Sequence, residues 1–322
     1  MNRSIAVSID VDTLARDLAV ARLTSTLRAR VRLSWNLIMP RLLAWLSERH
    51  IKATFFLVAD DILDNLSLAK EIVAEGHEAA SHSRTHSKLI AAANRDDRLI
   101  EIRDSKRMIE DALGCAVMGF RAPGYCISNE VMDSLEEAGY LYDASLNVSF
   151  PYNLVKLVWR SMMGEYGRNN LAVESPLLRR LPDAFHPARL DYRNPGTGSD
   201  RRTIVEIPIF IMNRTHLPLA TSLFHSMGSR LTRALIVSGT AGRGFIPMEL
   251  HDFEFGQPSD NVAVNDSVRR RSFMRYFGAG VQNGEKKIDE IIDMIRTPPP
   301  RFIRLCDHAA EYLAGESLAV RL

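Results

Sequence analysis

Cysteine is scarce in this chain of 322 residues, with three in all. Cys115, Cys126 and Cys306 are odd in number and far apart, so they make no disulfide framework, and a reducing compartment is the simpler expectation. An excess of charge of either sign is also lacking. Lys and Arg number 41 against 39 Asp and Glu, a formal net charge of +2, and no basic block is interleaved with aromatics. A nucleic-acid partner is therefore not expected. No run reaches the about 18 apolar residues of a membrane span. The first apolar stretch is broken at once by Asp10 and Asp12, which the core of a secretory signal would not tolerate. These absences place the expected protein in the cytoplasm, soluble or peripheral to a membrane. Internal repeats and low-complexity tracts are missing as well.

What is there is an ordinary globular composition, 46% hydrophobic and 25% charged, enough for one large α/β domain. Apolar strand-like runs alternate with longer amphipathic segments. The strand-like runs are 4–9, 53–58, 78–81, 117–120, 140–142, 204–209, 245–250 and 302–305. The spacing predicts helices over 14–48, 66–74, 97–113, 129–138, 272–295 and 308–313, with Gly76 and Gly114 as stop signals. Such alternation predicts a parallel sheet, open or closed into a barrel. Asp10, Asp12, His82, Arg121, Asp143 and His251 all stand at or just past the C-terminal ends of predicted strands. In a (β/α) barrel those ends meet at one mouth, where active sites sit.

Ser81-His82-Ser83-Arg84-Thr85-His86 carries two histidines four apart, a spacing that lets one helical turn close on a single ion. The third ligand is expected from Asp10-Val11-Asp12, whose carboxylates lie on the same face of an extended segment. Two imidazoles, one carboxylate and an open fourth position suit a catalytic metal, most readily zinc, with cobalt, manganese or iron as alternatives. Asp12 is read as the ligand with His82 and His86. Asp10 is left as the general base for the attacking water.

Ile9-Asp10-Val11-Asp12, the His82–His86 segment, Arg121-Ala122-Pro123-Gly124, Tyr142-Asp143-Ala144-Ser145 and Leu250-His251 occur in an order that resembles the polysaccharide deacetylases, the NodB-like carbohydrate esterases. The likeness spans 4–147 and 245–252. It implies a single distorted (β/α) barrel domain over 1–322, with 151–244 a variable region shaping the substrate site. By that likeness Arg121 pairs with the base Asp10, and His251 is the general acid. Pro123, Gly124 and Tyr125 line the substrate, a backbone N–H near Tyr125 donating to the oxyanion, and Asp143 is carried as a further catalytic group. The activity implied is metal-assisted removal of an N-acetyl or N-formyl group from an amino sugar.

Several residues depart from the commonest family pattern. Val11 separates the two aspartates, Thr13 follows them, the fourth motif has no tryptophan, and Asp252 follows His251. The Asp-x-Asp form is similar to cytoplasmic branches of the family that include deformylases of a lipid-linked sugar and amidases of small molecules. A hydrolase of non-sugar amides or cyclic imides is therefore the alternative expectation. Arg22, Arg28, Arg30, Arg32 and Arg41 mix with Trp35, Trp45 and leucines, and Lys156 and Arg160 flank Trp159. Basic amphipathic segments of this kind suggest contact with a membrane surface and a lipid-linked substrate. The sequence leaves the oligomeric state open.

Overall fold

The computed structural model describes residues 3–12, 34–154, 204–213, 215–219, 221–224, 227–256, 284–295 and 299–319. Eight strands form one sheet: β1 (Ser4–Val11), β2 (Thr54–Leu57), β3 (Glu78–Ser81), β4 (Gly119–Phe120), β5 (Tyr142–Asp143), β6 (Val205–Glu206), β7 (Phe245–His251) and β8 (Arg301–Phe302). Their order is β6-β5-β4-β3-β2-β1-β7, with β8 beside the start of β1, and every pairing is parallel. Helices such as Met39–Glu48, Leu66–Ala74, Ser105–Leu113 and Asn129–Glu137 cross between consecutive strands. The sheet is curled, and β6 and β7 form its two ends, so the expected distorted (β/α) barrel is the fold.

β1 is buried along almost its whole length, as a strand covered on both faces must be. Its side chains divide by parity. Ile5, Val7, Ile9 and Val11 enter the larger core, packed beneath the helices. Ala6 enters a smaller core inside the curl, with Phe56, Ala80, Tyr142, Ala144, Val205 and Ile207. Ser8 and Asp10 share the face of Ala6, because successive side chains of a strand point to opposite sides. β7 repeats the pattern: Ile246, Met248 and Leu250 join the outer core, while Glu249 and His251 follow Phe245 on the inner face.

The base of the curl is closed by the last helix, Leu305–Ala319, whose Leu305 and Ala309 complete the inner core. There Glu78 accepts hydrogen bonds from Thr54 Oγ1 at 2.7 Å, the Cys306 N–H at 3.0 Å and the Tyr142 hydroxyl at 2.8 Å. Gly119 lies against the Tyr142 ring so closely that a Cβ would overlap it.

Most of the expected elements are present, and the strands expected at 117–120, 140–142, 204–209 and 302–305 are each reduced to two residues. The run 204–209 pairs only at Val205–Glu206; the N–H groups of Val205, Ile207 and Ile209 face β5 and its continuation, and Pro208 lies where its missing N–H would face the open edge. The run 117–120 pairs only at Gly119–Phe120. Residues 204–213 and the helix Ser229–Gly239, inside the expected variable region, are part of the barrel itself. The basic segment 13–33, the region 155–203 with Trp159, and 272–283 of the expected last long helix lie outside the described residues. Among the described residues no helix is long and apolar enough to cross a membrane.

Candidate metal and acid–base site

The parity of the strands decides which polar side chains meet. Asp10 and Asp12 continue the inner face of β1, His82 continues that of β3, Arg121 follows β4, and Glu249 and His251 end β7. All converge at the C-terminal mouth. His82 and His86 do not share a helical turn. They lie in a loop after β3, in which Ser83 and His86 have left-handed backbones, φ 64° at each. The Ser83 hydroxyl accepts the His86 N–H at 3.0 Å, a local turn that competes with helix formation.

In this loop His82 Nε2 comes to 3.1 Å from Asp12 Oδ1 and His86 Nε2 to 3.2 Å from the same oxygen. The other nitrogen of His82, Nδ1, sits 2.8 Å from the Arg121 carbonyl. A carbonyl only accepts, so Nδ1 carries the proton, and in the neutral ring Nε2 presents a lone pair to Asp12. Asp12 Oδ1 and His86 Nε2 are buried and have no hydrogen-bond partner. Two ring nitrogens and a carboxylate oxygen converging on one point, two of them without a hydrogen-bond partner, are a poor arrangement alone and a good one around a cation, so these residues fit a divalent metal. Burial alone would raise the Asp12 carboxyl, but the neighbouring His86 and His82 rings hold it well below the usual carboxylate range. Burial also opposes a charge on His82, and Asp10 and Asp12 nonetheless raise its pKa.

Asp10 is separately held. Arg121 Nη1 donates to Asp10 Oδ1 at 2.6 Å, Nη2 to Ser8 Oγ at 3.1 Å and Nε to the Ala144 carbonyl at 2.9 Å. The guanidinium also lies 4.1 Å from the centre of the Phe56 ring. Arg121 is almost fully buried; burial works against its charge, while Asp10 and Glu249 raise its pKa above the ordinary value. The pair therefore fixes a carboxylate beside the ligand cluster.

His251 Nε2 is 3.9 Å from both Asp12 Oδ2 and Glu249 Oε1. Glu254 Oε1 accepts the His251 N–H at 2.9 Å and stands 3.9 Å from Nδ1. Burial disfavours the imidazolium, yet Glu254, Asp12 and Glu249 together raise the His251 pKa well above normal. A ring so placed faces carboxylates on both of its nitrogens.

Two residues differ from the sequence expectation. The Tyr125 N–H is taken up by the Ala122 carbonyl at 2.9 Å in the tight turn Pro123–Tyr125, so it does not point free into the mouth. Asp143 neighbours the inward Tyr142 and stands outside the cluster. Its carboxylate accepts the Ser145 hydroxyl at 2.7 Å and N–H at 3.2 Å, and Ser145 Oγ accepts the Ala122 N–H at 2.8 Å. Asp143 thus braces the loop that carries Arg121 and touches none of the converging donors.

The sequence reading passed over Glu249. It is buried, accepts a hydrogen bond from the Tyr125 hydroxyl, and forms a second converging group with Asp10 and His251. Burial and the adjacent Asp10 push its carboxyl up, against the pull of Arg121. The available signal was a lone acid two residues before His251, hence on the same strand face.

The family model for polysaccharide deacetylases matches residues 34–142, which include His82, His86, Arg121 and Tyr125. The chain is 33% identical over 103 residues to a peptidoglycan-N-acetylglucosamine deacetylase of Bacillus cereus, covering 31% of this chain and 46% of that protein. It is 34% identical over 101 residues to a chitooligosaccharide deacetylase of Sinorhizobium fredii, covering 31% and 46%, and 32% identical over 108 residues to a peptidoglycan deacetylase of Helicobacter pylori, covering 34% and 36%. The chain thus spans less than half the length of these curated relatives. A solved structure from Mycobacterium smegmatis, assigned to the polysaccharide deacetylases, superposes with a TM-score of 0.60 over 98% of this chain and 91% of that one, at 20% identity, a likeness of fold. Residues 34–142 thus match the polysaccharide deacetylase family, and the sheet built around them has the fold of the Mycobacterium smegmatis structure.

Proposed function

We propose that this chain is a divalent-metal-dependent hydrolase that removes an N-acyl group, acetyl or formyl, from an amino sugar. One observation carries this: the converging Asp12–His82–His86 set, with Asp12 Oδ1 and His86 Nε2 unpartnered, lies in the same mouth as Asp10, which is locked on Arg121. Asp12, His82 and His86 would hold the ion, zinc most readily, with cobalt, manganese or iron suiting the same donors. Such an ion supplies Lewis acidity for the acyl oxygen and for water.

The chain's own groups handle the protons. Arg121 binds one oxygen of Asp10, and the other takes a proton from the attacking water as the new C–O bond forms. His251 gives its proton to the departing nitrogen as the C–N bond breaks. The buried walls of the mouth keep both charges out of bulk solvent, where they would be screened.

The names of the curated relatives support an N-acetylated amino sugar as substrate. Free thiols at Cys115, Cys126 and Cys306 support a cytoplasmic location. The arginines of 13–33 in the sequence support a peripheral position at a membrane and a lipid-linked sugar, whereas Trp35 and Trp45 of the same expected segment are buried in the core and give no such support.

The test is metal content and hydrolysis, measured together on wild type and Asp10→Asn, against free and lipid-linked N-acetyl and N-formyl amino sugars and small cyclic amides. We expect a single ion per chain in both proteins and a loss of about 10²–10⁴-fold in turnover for the variant, the span usual for a general base. Wild type that takes up no divalent ion, or that turns over only cyclic amides, would falsify the proposal.

A further inference from the structure

The ligand loop is held in a shape its sequence does not favour. Ser83 and His86 are both left-handed, a backbone that side chains other than glycine rarely adopt. Residues 82–86 form neither helix nor strand, so their amides need partners from elsewhere. One partner is internal, the Ser83 hydroxyl that accepts the His86 N–H. Those of Arg84 and Thr85 come from Glu101, whose backbone carbonyl accepts the Arg84 N–H at 3.1 Å and whose carboxylate adds the rest. Glu101 Oε2 accepts the N–H of Arg84 at 3.1 Å and that of Thr85 at 3.0 Å, and Oε1 accepts the Thr85 hydroxyl at 2.6 Å.

Glu101 lies in a π-type turn, Ile100–Asp104, set between the helical segments Arg95–Leu99 and Ser105–Leu113. A π-turn inserts one residue into a helix and is found disproportionately at functional sites. The opposite flank of the loop is pinned by its carbonyls: Ala59 N–H donates to Ser83 O and Asp60 N–H to Arg84 O, each at 3.1 Å, and Arg84 Nε donates to Asp60 Oδ1 at 3.1 Å. One flank therefore fixes the carbonyls of the loop, and Glu101 fixes its amides.

We propose that Glu101 is a positioning residue that holds the His82–His86 loop in its metal-binding shape. Its carboxylate does what a helical turn would have done, setting where the second imidazole stands relative to the first. The inference rests on the metal site proposed above.

The experiment measures Zn(II) affinity by competition with a chromophoric chelator, and the Co(II) absorption spectrum as a report of ligand geometry. It uses wild type, Glu101→Ala, Glu101→Gln and Thr85→Val, each of full length, with the thermal midpoint of the metal-free proteins alongside. Outer-shell partners typically set metal affinity by about 10–100-fold. Glu101→Ala is expected to lose that much Zn(II) affinity and to alter the Co(II) spectrum. Glu101→Gln, which keeps one acceptor oxygen, falls between it and wild type, and Thr85→Val loses least. A merely structural role would lower the thermal midpoint and leave the affinity and the spectrum unchanged. If Glu101→Ala melts far below wild type, Thr85→Val decides by the same two readouts, because it leaves the helix intact. Wild type that binds Zn(II) tightly, with Glu101→Ala binding equally well, overturns the inference. Wild type that binds none overturns the metal site instead.

Discussion

The two ends of the barrel use buried carboxylates in opposite ways. At the base, Glu78 accepts from three donors, and its surroundings are complete. At the mouth, Asp12 Oδ1, His86 Nε2, Glu249 Oε2 and His251 Nδ1 are buried without hydrogen-bond partners. A buried polar atom left unpaired costs about 1–3 kcal/mol; the mouth gathers four of them in one place, whereas His77 Nε2 stands apart at the base. The contrast separates a supporting end from a reacting end of the same sheet.

The largest effect is expected at the base. Gly119→Ala drives a methyl into the Tyr142 ring, which its hydroxyl ties to Glu78. A loss of about 3 kcal/mol or more is expected from urea unfolding, at the upper end of overpacking costs. Glu78→Ala strands the buried donors Thr54 and Tyr142 and the half-buried Cys306 N–H, and should lose nearly as much, with Zn(II) affinity unchanged. A change in affinity with either variant would erase the distinction between the two ends.

A pH series sharpens the comparison. His77 and His308 both belong to the base, His77 accepting the Ala53 N–H at 3.1 Å and His308 stacked on Phe245. Burial lowers both pKa values to about 4, with Lys52 and Arg304 adding to the effect at His77 and Glu311 opposing it at His308. Both lie below the unfolded value of about 6.5, so the unfolded chain binds more protons in between. Stability should therefore fall as pH drops from about 6.5 to 4, and His77→Gln should flatten that fall in urea midpoints. The smallest effect belongs to the mouth: His86→Ala should change the stability of the metal-free protein by less than about 1 kcal/mol while removing tight Zn(II) binding.

Legibility followed the strength of local periodicity. β1 was readable because its period of two places Asp10 and Asp12 together from any starting point, and the same parity explains their meeting with His251. The two histidines were readable as a pair and misplaced on a helix, since a spacing of four residues does not reveal a left-handed Ser83. Glu249 escaped because one acid inside Phe245–His251 looks like a solvent-facing residue until the strand is known to be covered on both sides. The brace made by Asp143 and the hold of Glu101 on the loop depend on contacts 2 to 23 residues away in sequence, through side-chain directions that composition does not encode.

The parity of β1 has one last consequence, for how this chain can change over time. Outer core and inner face alternate along Ser4–Val11, so drift at the odd positions registers as folding and drift at Ser8 and Asp10 as reactivity, with Ala6 between them in the inner core. A single inserted or deleted residue there would exchange the two sets at once, turning isoleucines toward the metal donors and carboxylates toward the helices. The segment is consequently open to substitution and closed to changes in length.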